Sequence, residues 1–152
     1  DLAIDYGDQY LLIEAEPSER PSSRTHHLEE SVEQLSGDVH VFAKSVKDRI
    51  ETWRRELRER SGRGKRVAVW GSGSKCVAFL TTLGVRDEVG SIVDVNPHRH
   101  GKFIPGVGRE ILPPESLREY KPEVVIVMNP IYEGEIRQML ADMDLYPLLV
   151  SL

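Results

Sequence analysis

Four apolar residues, "VAVW" from Val67 to Trp70, run straight into Gly71-Ser72-Gly73-Ser74-Lys75, and a helical pattern follows. Such a strand, glycine turn and helix has three uses. It can cradle a nucleotide phosphate, hold S-adenosylmethionine (SAM), or merely connect two elements. Glycines let the backbone approach a ligand, and the start of the next helix offers free N–H groups to an anion. Lys75 adds a full positive charge. Asp94, at the exit of the next apolar run, stands where an acidic side chain takes a ribose hydroxyl pair. Asn96 and His98 follow it in "DVNPHRHGK", and Asn129 and Tyr132 follow a third run in "EVVIVMNPIYE".

G-x-G alone is a weak signal, and Cys76 occupies the third glycine position of a dinucleotide fingerprint. The turn also differs from the usual SAM site, because Trp70 rather than a carboxylate leads into it. A packing-only turn therefore stays open beside ligand binding. His98 and His100 lack the cysteine or carboxylate cluster that would complete a metal site, so no metal is expected. They read as solvated or as partners for an anion. His26-His27 falls in a polar stretch. Cys76, at a helix start, has no His or Asn pattern to make it a nucleophile and reads as a small core residue. Trp53 and Trp70 read as core.

The elements that must position these residues show in the hydrophobic pattern. Strand-like runs and helix-like runs alternate from residue 64 to residue 152. Arg66–Trp70, Val89–Val95, a short piece from Ile111, "EVVIVMN" and "YPLLVSL" read as strands, the fourth a β-branched run suited to a central parallel position. Ser74–Leu83 reads as a helix with Val77, Phe79, Leu80 and Leu83 toward the sheet. "PPESLREY" reads as a short helix with Pro114 in its first turn. Glu133–Met143 reads as another, with Ile136, Met139, Leu140 and Met143 inward. This alternation predicts an α/β fold, a Rossmann-like parallel sheet with helices on both faces. Ligands bind such sheets beyond the carboxyl ends of the strands, so Gly71–Lys75, Asp94–His100 and Asn129–Tyr132 should gather at one edge.

Two further regions precede that domain. Residues 1–37 read as a β-hairpin arm around a two-residue Gly7-Asp8 turn, followed by a polar linker or mobile loop. Residues 38–63 read as a long amphipathic helix capped by Asp38, with Val39, Phe42, Val46, Ile50, Trp53 and Leu57 on one face, ended by "SGRGK". Both carry apolar faces that need cover, from the Rossmann-like unit or from a second copy in a homo-oligomer.

Composition narrows the classes. Of 152 residues, 39% are hydrophobic and 30% charged, and no apolar run approaches the ~20 residues of a membrane span. No secretory segment opens the chain, and the single cysteine suits a reducing cytoplasm. The net charge of -5 speaks against a nucleic-acid surface, and the basic stretch Lys44–Arg66 is interleaved with acids, as on a solvated helix. The chain does not begin with Met, which fits a piece of something longer.

Taken together, "VAVWGSGSKCVAFL", "SIVDVNPHRHGKFIPGVG" and "EVVIVMNPIYEGEI" carry a resemblance. In this order they are similar to the C-terminal domain of SAM-dependent methyltransferases, in particular the C-methyltransferase C-terminal domain of deoxysugar-modifying enzymes. The matching positions are Gly71, Gly73 and Lys75; Asp94, Asn96, Pro97, Gly101, Lys102, Ile104, Pro105 and Gly106; and Asn129, Pro130, Glu135 and Ile136. Cys76 stands where the pattern has glycine. The resemblance implies that SAM is held by a separate N-terminal domain, not by this region. This region would help bind a small-molecule acceptor, a nucleotide-linked sugar in the characterised branch. It would be inactive alone, and Gly71, Ser72, Gly73, Ser74, Lys75, Asp94, Asn96, His98, Asn129 and Tyr132 would line the acceptor site. The residues alone also admit a nucleotide- or NAD-binding module without methyl transfer, or a Rossmann-like unit serving only assembly.

Overall fold

The structure is a computed structural model that describes residues 1–20 and 26–152. The part of the expected linker at residues 21–25 lies outside the described residues. The chain divides into two compact units, Asp1–Val46 and Lys47–Leu152. The division falls inside one long helix.

In the first unit, β1 (Leu2–Asp5) and β2 (Tyr10–Ile13) pair antiparallel, from Leu2 with Ile13 to Asp5 with Tyr10. The connection is longer than the expected Gly7-Asp8 pair. Pairing stops at Asp5 and Tyr10, and Tyr6, Gly7 and Asp8 all take left-handed φ of 55°, 61° and 62°. Asp5 Oδ1 accepts from Tyr6 N at 2.7 Å, and the Tyr6 and Tyr10 rings meet edge to face at 5.5 Å. These contacts hold Tyr6 inside the turn rather than in the ladder.

Helix α1 (Val32–Gly62) begins earlier than the expected Asp38 start. Ser31 Oγ accepts from Gln34 N at 3.2 Å, and Gln34 Oε1 accepts from Ser31 N at 2.8 Å. This reciprocal capping box satisfies donors that a helix start leaves open, and it leaves Asp38 in the helix interior.

The second unit contains a five-stranded parallel sheet in the order β5-β4-β3-β6-β7. Its strands are β3 (Val67–Trp70), β4 (Ser91–Val93), β5 (Ile111–Leu112), β6 (Val124–Val127) and β7 (Leu148–Ser151). The first strand of the set is central; the chain builds outward through β4 and β5, then crosses to β6 on the other side. This is the doubly wound order, with its switch point between β3 and β6. β4 is shorter than the expected Val89–Val95: its ladder to β5 closes with the bond from Asp94 N to Leu112 O at 3.1 Å, and Val95 beyond it is 56% exposed.

Helices cover both faces. On one, Leu57 of α1 and Cys76, Phe79, Leu80 and Leu83 of α2 (Ser74–Leu83) pack on Val67, Val69, Ile92 and Ile126. On the other, Leu117 of α3 (Leu117–Tyr120) and Ile136 and Leu140 of α4 (Glu133–Ala141) pack with Met143 on Ala68, Trp70, Val93, Val125 and Val127. The alternation along β3 is the period-two pattern of a strand buried on both sides. Val77 lies half-buried at the core margin, and Met139, expected inward, is exposed on α4. Arg54 of α1 donates from Nε to Leu83 O at 3.0 Å and from Nη2 to Thr82 O at 2.8 Å, meeting the free carbonyls at the end of α2.

Candidate functional site at the carboxyl edge of the sheet

The strand order brings the three loops to one edge, as the pattern predicted. Neighbouring loops are stitched by the ladder as it ends: Gly71 N donates to Val93 O at 2.8 Å, and Met128 N to Trp70 O at 3.1 Å. Gly71 has φ +105°, and a Cβ there would meet Met128 Cβ at 3.2 Å. Both observations require glycine at this position.

Asp94 is the hub of the edge, and it is 7% exposed. Its Oδ2 accepts from Ser72 N at 2.8 Å and Ser72 Oγ at 2.5 Å, and its Oδ1 accepts from Asn96 N at 2.9 Å. Arg99 Nη1 reaches the same Oδ2 at 3.2 Å and Ser72 Oγ at 3.3 Å. Burial works against the Asp94 carboxylate, yet the Ser72 hydroxyl, the two N–H donors and the Arg99 guanidinium together hold it below the ordinary carboxylate range. His100 Nε2 donates to the Asp94 carbonyl at 2.7 Å, which ties down the backbone as well.

Beyond this clamp, Gly73 caps α2 without a side-chain hydrogen bond, and the first intrahelical donor is Val77 N, to Gly73 O at 3.1 Å. The N–H groups of Ser74, Lys75 and Cys76 precede it, so the start of the helix keeps donor capacity and positive potential. Ser74 and Lys75 are exposed, and Lys75 makes no ion pair among the described residues. Cys76 points the other way. Burial, with a smaller push from the Asp94 charge, raises its thiol pKa to about 12, so it is inert as a nucleophile and packs as a core residue.

The other candidates take varied places. Asn96 Oδ1 accepts from His98 N at 3.0 Å and caps the single turn Pro97–Arg99, while the His98 ring is exposed. Asn129 is half-buried at the start of the turn Pro130–Tyr132, and Tyr132, 43% exposed, leads into α4. Thus the structure joins Ser72 and Asp94 directly, sets Lys75 on the exposed first turn of α2, and holds Asn96 and His98 together. Arg99 escaped sequence reasoning; its only signal was a cation in the loop leaving a strand that ends in an acid. Among the described residues no group of three or more His, Cys, Asp or Glu is placed to hold a metal ion, and no helix is long and apolar enough to cross a membrane.

The parallel sheet, its switch point and the glycine turn define a Rossmann-like α/β domain whose three candidate loops share the carboxyl edge. The chain belongs to the family described as the C-methyltransferase C-terminal domain, which matches residues 17–145. No curated protein sequence matches it. Among solved structures it is similar to UDP-D-quinovosamine 4-dehydrogenase from Vibrio fischeri, at 19% identity and TM-score 0.43, over 57% of this chain and 77% of that one. It is also similar to RSP in complex with beta-NADH, at 18% identity and TM-score 0.40, over 58% of this chain and 53% of that one. RSP, a Rex-family repressor, matches in a further structure at 17% identity and TM-score 0.41, over 58% of this chain and 52% of that one. The chain thus spans about half the length of the two RSP structures.

Proposed function

We propose that this chain is the acceptor-binding part of a SAM-dependent methyltransferase, and that the acceptor is an anionic small molecule such as a nucleotide-linked sugar. The observation that carries this reading is the Gly71–Lys75 turn. Asp94 and Arg99 fix its inner side, which leaves the N–H groups at the start of α2 and the Lys75 ammonium facing outward. Such donors favour a phosphate.

The family implies SAM in the intact enzyme, where SAM supplies an electrophilic methyl group. The residues of this sheet edge do not fit SAM. Trp70 precedes the turn in place of an acid, and both oxygens of Asp94 are already engaged by Ser72, Asn96 and Arg99. These two facts support SAM binding elsewhere in the whole protein, on a domain that completes the enzyme.

The work of this chain is then proximity and orientation. Lys75 and the α2 start hold the anionic part of the acceptor, Ser72 and Asp94 keep the turn in shape, and Asn129 and Tyr132 line the third loop. Asn96 and His98 bound the site on the β4 side. Methylation occurs in the cytoplasm in this reading, with neither nucleic acid nor membrane as partner.

Calorimetric titration of the chain with SAM and, separately, with a panel of nucleoside-diphosphate sugars tests the proposal. Saturable binding of a sugar nucleotide and none of SAM is expected. Saturable SAM binding that Lys75→Ala abolishes would overturn it.

A further inference from the structure

We propose that the first half of α1 is a self-association surface, which pairs antiparallel with the same segment of a second copy of this chain. Val32, Leu35, Val39, Phe42 and Val46 recur at alternating steps of three and four, the spacing of a helix–helix seam. Within the unit Asp1–Val46 most of this stripe lacks cover: Leu35 is 55% exposed, Val39 57% and Phe42 67%, while Val46 is half-buried. Further along the same helix, Ile50, Trp53 and Leu57 are packed against the core of the second unit. The exposed half of the stripe therefore calls for a partner.

The stripe is complementary to itself. With Leu35 set against Val46 of the second copy, Val39 meets Phe42, and a two-fold axis between residues 40 and 41 repeats both layers. Flanking positions are small or short, with Ser36 and Ala43 on one side and Asp38 and Ser45 on the other, so the helices can approach closely.

Charge selects the second copy and sets its direction. The beginning of the segment is acidic, with Glu29, Glu30, Glu33 and Asp38, and no Lys or Arg lies between Glu29 and Lys44. Beyond it, Lys44, Lys47 and Arg49 outnumber Asp48 and Glu51, so the stretch carries a small net positive charge. Antiparallel pairing lays the acidic stretch of each copy along the basic stretch of the other, and it opposes the helix dipoles; parallel pairing would stack like on like. So short a seam is smaller than the ~1,200 Å² of a standard interface, so the dimer forms and dissociates with concentration.

Sedimentation of the full chain from about 5 to about 300 µM tests this by mass action. The expected result is a shift from monomer toward dimer, which Phe42→Lys and the milder Phe42→Gln both abolish while circular dichroism keeps the helix signal. Direction is read by mixing two single-cysteine variants, Leu35→Cys and Val46→Cys, under oxidation; native Cys76 is buried and does not interfere. Disulfide dimers should join one variant to the other. A monomer at every concentration would assign the face to a different partner and overturn the proposal. So would a dimer insensitive to both Phe42 variants, or disulfides formed within each variant alone.

Discussion

Asp94 Oδ2 accepts both the backbone N–H and the hydroxyl of Ser72, at 2.8 Å and 2.5 Å, across a separation of 22 residues in the chain. One carboxylate thus fixes the glycine turn that leaves β3 to the strand exit of β4. Ser72→Ala removes the hydroxyl from a buried, charged acceptor and should cost about 1–3 kcal/mol of stability. Chemical denaturation of the variant against the parent checks the figure.

The same clamp gives the fold a pH dependence. The folded pKa of Asp94 is lowered, so the unfolded state binds the proton more readily. The stabilisation is fully present above the unfolded carboxylate value of about 4 and is lost as pH falls through the folded value. Asp94→Asn should be clearly less stable than the parent at pH 7, and the gap should shrink below pH ~4 as the parent loses the same charge. Urea midpoints at pH 7 and at pH ~3 decide it; a constant gap contradicts the assignment.

Glycine at the two turn positions should behave unequally. Gly71→Ala forces a side chain into φ +105° against Met128 Cβ and should cost about 1–3 kcal/mol. Gly73 has φ -74°, and a Cβ there would touch only Arg99 Nη1 at 3.4 Å, so Gly73→Ala should be close to neutral. Thermal melts of the pair separate a general intolerance of the loop from the specific demand at Gly71.

How far the sequence disclosed these features depends on how local their causes are. β3, β6 and α2 were legible because strands buried on both faces must be apolar throughout, and α2 ends at Gly84 in the left-handed conformation. The start of α1 was missed because Asp38 and Ser31 are both good capping residues, and only the reciprocal Gln34 bond decides between them. The gathering of three loops at one edge followed from the βαβ pattern. The Ser72–Asp94–Arg99 clamp did not, because it needs β4 beside β3 and a loop that returns Arg99 over the turn. Asp94 could be picked out as an acid at a strand exit, but its inward hydrogen bonds could not.

Gly37 lies inside α1, and a Cβ there would meet nothing within 4 Å. Gly37→Ala should therefore stabilise the helix by roughly 0.5–1 kcal/mol, since glycine is the costlier residue in a helix interior. A rise in the thermal midpoint, with the helical dichroism kept, is the expected result.

The central claim is that the turn at Gly71–Lys75 receives the anionic end of the acceptor, and Lys75→Ala tests it most directly. Lys75 is exposed and makes no ion pair among the described residues, so its loss should leave the thermal midpoint nearly unchanged. Loss of one charge-assisted contact of about 1.5–3 kcal/mol should weaken binding of a nucleoside-diphosphate sugar roughly ten- to a hundredfold. Calorimetric titration of parent and variant, with a melt of each, measures both quantities. Weakened binding at constant stability is the predicted result; unchanged affinity, or lost stability without any effect on ligand, would contradict the account.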